Sequence, residues 1–279
     1  MKKSFIIAIA LFLWSSIQAQ NIEPIGKKVG KLNISVDPRM ELLSTIQVLS
    51  KYPIIDREQD YAKEISTYFA SFQNQNAISL TNELFEKQVF GYDAPVTFML
   101  HLSQVPELKQ QLKNSDYLIG RAGGKKNLEN YRVAIKEFAE KSNFNTFWDS
   151  NKEFYQEIVE LTAKELEGQD LVKVIEEYFN ETQNSYNIVL SPLFEGGYGP
   201  SMPAENGKFD IYSCMTTTNE KNEIPYVNLE YLMYYVWHEF GHSFVNPLTD
   251  KYMKNVYASK KLFEPIKEKA LIYIFAMNF

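Results

Sequence analysis

The sequence predicts an α+β protein: a mainly helical region over 20–185, then a mixed strand-and-helix region over 186–279. Three observations lead there. Up to about residue 185, apolar residues recur at three- and four-residue spacing with Lys and Glu between them, which is the period of an amphipathic helix. Near Ser185 the texture changes to short apolar runs bounded by Gly, Pro and Asn, the pattern of strands and turns. A long, mostly apolar helix follows over 228–245.

Taken in order, the chain opens with Lys2 and Lys3, an apolar run from Phe5 to Trp14, and the short exit Ser15-Ser16-Ile17-Gln18-Ala19. This reads as a signal peptide over 1–19, which places the mature protein in the periplasm or outside the cell. The apolar run falls short of the roughly 20 residues that span a bilayer, so no stable membrane insertion is expected after cleavage. Leu32, Ile34 and Val36 alternate with polar residues, so 30–37 reads as a strand. Asp37-Pro38 then supplies an N-cap and a first helical position for a helix carrying Met40, Leu42, Leu43, Ile46 and Leu49. Further helices are expected over 60–72, 78–89, 95–104, 127–141, 151–166 and 170–180. Strands are expected over 187–193, 209–214 and 224–227, with a plain glycine turn over 195–200. Asn246-Pro247 is expected to end the long helix, because the residue before proline resists the helical region.

Composition narrows the function. At 45% hydrophobic and 23% charged residues the chain is built to fold around a core. Lys and Arg number 29 against 35 Asp and Glu, a formal charge of −6, and loss of Lys2 and Lys3 makes it more acidic still. An acidic balance argues against nucleic acid as a partner. Cys214 is the only cysteine, so no intrachain disulfide forms, and it reads as a small core residue. Of the three histidines, His101 lies in the apolar run Phe98-Met99-Leu100-His101-Leu102 and reads as a core residue.

The other two histidines carry the chemistry. Trp237-His238-Glu239-Phe240-Gly241-His242 places two imidazoles four residues apart, on one face of a helix. That spacing suits Zn²⁺, which takes imidazole nitrogens in a tetrahedral shell, and makes His238 and His242 the candidate metal ligands. Glu239 is turned aside from the ligand face and is the candidate catalytic base. The helix is apolar nearly all round, which predicts burial, and a buried Glu239 needs a nearby cation to offset its charge. Gly241 costs about 1 kcal/mol of helix propensity relative to Ala, and close approach of a neighbouring strand or helix is its expected reason.

On this H-E-x-x-H core the sequence resembles the zincin metallopeptidases. Val245 and Leu248 stand where the metzincin branch has glycine and a third histidine, so the resemblance is to the gluzincin branch, in which a later glutamate is the third ligand. Asp250, Glu264 and Glu268 are the carboxylates downstream of His242. Glu264 and Glu268 lie at a gluzincin-like distance, and a third-ligand helix beyond residue 279 is the competing expectation, with the apolar Leu271–Phe279 tail as the edge of a truncated frame. The chain is also similar to a family of secreted bacterial proteins known only as a domain of unknown function. Its members share the segment matched by Ser35-Val36-Asp37-Pro38-Arg39-Met40-Glu41-Leu42-Leu43 and the core from His238 to Pro247.

The zincin resemblance implies a zincin-like fold for 186–279, a secreted zinc-dependent peptidase, and a peptide or protein substrate. In such a fold an upstream edge strand pairs with the substrate, here 187–193, and the 195–200 turn borders the cleft. Tyr252 and Tyr257 are oxyanion-donor candidates by position. The alternative is a catalytically impaired zincin-like module that binds peptides or proteins.

Overall fold

β1 (Ile25–Val29) and β2 (Leu32–Val36) open the structure, a computed structural model that describes residues 21–88, 90–217 and 224–266. The expected signal peptide and Glu268 lie outside the described residues. The two strands form an antiparallel hairpin through Gly30, whose φ of 57° favours glycine. α1 (Pro38–Ser50) starts as its sequence dictates: the Asp37 side chain accepts from the Arg39 N–H at 2.8 Å, and Pro38 occupies the first turn.

The helical region continues with α2 (Asp60–Tyr68), α3 (Asn76–Gln88), α4 (Asp93–Leu100), α5 (Asp116–Arg121), α6 (Lys125–Lys141), α7 (Phe144–Ser150), α8 (Lys152–Glu165) and α9 (Leu171–Phe179). The expected 60–72 helix stops at Tyr68 and ends in a 3₁₀ turn over Ala70–Phe72. The core here is aromatic. Phe69 meets Phe72, Phe138, Phe144 and Phe147 with ring centroids 4.9–6.5 Å apart. Such pairs add to the burial of the rings themselves.

β3 (Ser185–Ser191), β4 (Gly197–Tyr198), β5 (Ser201–Pro203) and β6 (Phe209–Thr216) complete one six-stranded sheet of order β1-β2-β3-β6-β4, with β5 also on β6. β2–β3 and β3–β6 run parallel, whereas β4 and β5 pair antiparallel to β6. Strands from both sides of residue 185 therefore share the sheet, and α1 to α9 form one long crossover from β2 to β3. The expectation that 187–193 is an edge strand is overturned. β3 sits between β2 and β6, and its buried Ile188-Val189-Leu190 run suits a strand covered on both faces. The edge beside β6 is held by β4 instead.

The segment 224–227, expected as a strand, is tied to α8. The Val227 N–H donates to Thr162 Oγ1 at 3.1 Å, and the Leu229 N–H donates to Glu165 Oε2 at 3.0 Å. α10 (Leu229–Lys251) is capped by Asn228, whose side chain accepts from the Tyr231 N–H. It does not stop at Asn246. It passes through Pro247, which removes one backbone hydrogen bond, the one to the Ser243 carbonyl, and only biases Asn246 away from the helical region without barring it. α10 packs on β6, β4 and α9. α11 (Met253–Ala258) and a 3₁₀ turn over Lys260–Ile266 follow. None of the described helices is long and apolar enough to cross a membrane.

Candidate metal centre

α10 presents two faces. Leu232, Val236, Glu239, Phe240, Ser243 and Phe244 are buried, while Tyr231, Tyr234, His238, His242 and Val245 are exposed. The helix is thus half-buried and not buried all round, since the apolar tyrosine and valine positions face outward beside the histidines. The outer stripe carries both imidazoles to an accessible surface, which a ligand site needs. His238 and His242 stand one helical turn apart with ring centroids 5.0 Å apart. Ligand atoms of His238, Glu239 and His242 all lie within 4.8 Å of one another. This donor set could hold a metal ion, and two imidazoles with a carboxylate suit Zn²⁺ among others.

Neighbours orient the imidazoles. The Tyr234 ring stacks on His238 at 6.0 Å and 16°. Asn246 Oδ1 lies 3.5 Å from His242 Nδ1, the long limit of a hydrogen bond. With a proton on Nδ1, Asn246 accepts it and Nε2 becomes the ligand atom. Burial, and then the neighbouring His242, push His238 below the usual imidazole value, which favours the neutral form that metals require.

Glu239 is 5% exposed. Burial, and then the Asp93 carboxylate, push it up to about 7. The glycine turn seals this residue from the side. A Cβ on Gly197 would stand 2.6 Å from Tyr235 Cδ1 and 2.8 Å from Glu239 Oε1. One on Gly199 would stand 2.6 Å from the Glu239 carbonyl oxygen and 2.8 Å from its Oε2. The turn is therefore no plain turn; its glycines let the edge strand β4 lie against the motif helix. Gly241 is the reverse case. A Cβ there would meet nothing within 4 Å, so the close approach expected of it is absent.

His238, Glu239 and His242 share a cavity of about 370 Å³ with Gly197, Tyr198, Gly199, Pro200, Tyr92, Asp93 and Asn246. Asp93 enters from the first turn of α4 and accepts hydrogen bonds from Tyr117 Oη at 2.9 and 3.0 Å. The sequence reading missed Tyr92 and Asp93, and it set the 195–200 turn beside the cleft without singling out Tyr198. The first two lie almost 150 positions upstream of the motif, and only the fold joins them to it. Tyr198 sits inside the Gly-Gly-Tyr-Gly run, the one local signal that could have flagged it.

The family model for domain of unknown function DUF4932 matches residues 32–275 of this chain. The chain belongs to that family. The match takes in both the Val36–Leu43 stretch and the His238–Pro247 core. No curated protein and no solved structure matches this DUF4932 chain.

The remaining candidates in the DUF4932 chain fall elsewhere. Glu264 is exposed in the 3₁₀ turn after α11 and does not join the His238/Glu239/His242 group. The reason is the length of α10, which carries the chain about 14 Å past His242 before it turns. Tyr252 and Tyr257 are 50% and 69% exposed and line no wall of the cavity. His101 is buried at the end of α4, where burial lowers its pKa. Cys214 is fully buried, and burial pushes its thiol well up, so it is a core residue.

Proposed function

We propose that this DUF4932 protein is a secreted, zinc-dependent peptidase of zincin type, with His238 and His242 as ligands and Glu239 as the base. The observation that carries the reading is the placement of Glu239. It is buried between the ligand histidines and a glycine-lined edge strand, at the wall of an open cleft. Bound zinc would supply Lewis acidity to water and to a substrate carbonyl.

The chain's own residues do the rest. His238 and His242 hold their ring nitrogens outward on one helical face. Glu239, with a carboxyl near 7, accepts a proton from the attacking water at its carboxylate and returns it to the leaving amine. The edge of β4 offers backbone groups to an extended peptide beside the histidines. Tyr198 and Tyr92 line the same cavity and are its candidate donors to a developing oxyanion.

The alternative is a zincin-like module that grips peptides without cutting them. The observation in its favour is that, among the described residues, the metal group contains His238, Glu239 and His242 and no further acid. Zinc content and peptide-library hydrolysis, measured for the wild type and Glu239→Gln, separate the two. The peptidase reading expects equal zinc and hydrolysis lower by about 10²-fold or more in the variant. Zinc bound without hydrolysis of any peptide by the wild type leaves the binding module.

A further inference from the structure

A second cavity, of about 440 Å³, opens on the other side of the histidine pair, between α9 and α10. Trp237, His238, Gly241, His242 and Val245 form its α10 wall, and Val174, Ile175, Tyr178 and Phe179 its α9 wall. Among the described residues lining it, none is an acid, a lysine or an arginine. The walls are fixed to each other. Trp237 Nε1 donates to the Leu171 carbonyl at 3.3 Å, and Phe179 stacks on Phe244 at 4.7 Å and 4°.

Gly241 gives an independent pointer. Glycine inside a helix costs about 1 kcal/mol against alanine. Neighbour packing does not explain it here, because a Cβ would meet no atom within 4 Å. The missing side chain instead deepens the apolar cavity one position before His242. Among the described residues, no side chain fills it.

We propose that this cavity is a specificity subsite for a bulky apolar side chain, such as Leu or Phe, next to the bond presented to the histidine pair. The inference rests on the peptidase reading for its substrate class. It follows from the two chambers meeting at His238 and His242: the polar one holds Glu239 and β4, and the apolar one holds no group for a charged side chain. A substrate carbonyl at the histidines meets both, and its neighbouring side chain is sorted into the apolar one.

The test uses the zinc-loaded protein in the Glu239→Gln background, where turnover does not consume the probe. Peptides Ala-Xaa-Ala, with Xaa as Phe, Leu, Ser or Asp, are titrated and binding is read from Trp237 fluorescence. The Phe and Leu peptides are expected to bind about ten-fold or more tighter than the Ser and Asp peptides. Gly241→Leu fills the cavity and Val174→Trp narrows its exposed outer wall. Each is expected to remove the preference for Phe while zinc content stays unchanged. Equal affinity for the Phe and Asp peptides overturns the subsite, as does a preference that survives in every folded variant. An apolar preference in a protein whose wild type cuts no peptide ends the peptidase reading and keeps the subsite. Hydrolysis without side-chain preference does the reverse.

Discussion

At the scale of single residues, the two segments that carry the family resemblance, Ser35–Leu43 and His238–Pro247, divide into structure and chemistry. Asp37, Arg39 and Glu41 serve the fold. Arg39 is bidentate to Asp37, at 3.0 and 2.7 Å, and its Nη1 donates to the Leu102 carbonyl at 3.0 Å. Glu41 is fully buried, accepting from Tyr61 Oη and Ser191 Oγ, each at 2.8 Å. Burial pushes its carboxyl up from near 4.5 to about 7, against the lowering effect of those two hydrogen bonds. A raised acid is bound more tightly as its protonated form in the fold than in the unfolded chain. Its stabilisation is therefore complete below about pH 4.5 and is lost as pH rises through about 7. The difference amounts to about 3 kcal/mol. Urea unfolding at pH 5 and pH 8 should show that loss in the wild type, and Glu41→Gln should flatten it by a similar amount. Gly241→Ala belongs to the same scale. It should raise stability by about 1 kcal/mol in thermal unfolding, because the added methyl meets open space.

At the scale of elements, the decisive contact is β4 on α10. The contact at Gly199 is to helix backbone, which cannot swing aside as a side chain would. Gly199→Ala should cost about 1–3 kcal/mol, read as a lower midpoint in thermal unfolding. Gly120→Ala, also in a helix and with no atom within 4 Å of the new methyl, is the opposite control and should raise stability by up to about 1 kcal/mol, as at Gly241. Legibility at this scale followed length and periodicity. α1, α6, α8 and α10 run for 13, 17, 14 and 23 residues, enough turns to show a stripe, and Asp37-Pro38 and Asn228 mark two of their starts. α5 and α7, at 6 and 7 residues, are too short to display a period. β1 was invisible because its centre, Gly26-Lys27-Lys28, faces solvent and lacks apolar alternation. β4, a two-residue strand, has no pattern to read, and its glycines look like a turn until the helix is laid against them.

At the scale of the whole molecule, the motif and its helix were legible, while the cleft around them was not. H-E-x-x-H spacing states which side chains share a face. It says nothing of Asp93 and Tyr92, which reach the cavity only through the path of the chain over the helical region. The sheet order was equally hidden, since pairing of β2 with β3 joins residues about 150 apart. A bound metal should stabilise the whole fold by mass action. Zinc at a hundredfold excess over its Kd should add about 3 kcal/mol, seen as a rise in the melting midpoint, and His238→Ala should abolish the rise.

That β2–β3 pairing also sets a timetable. Leu32 pairs with Tyr186, so the β2 edge of the first hairpin stays unpaired until the entire helical crossover has brought β3 back to it. Contacts of such sequence separation slow folding, because a long loop must close before any pairing repays it. The histidine helix packs on β6 and β4, so its native seat exists only once those strands have joined the sheet. Metal uptake therefore reports on a sheet that has already closed, and a refolding time course followed by zinc binding should lag behind one followed by helix content.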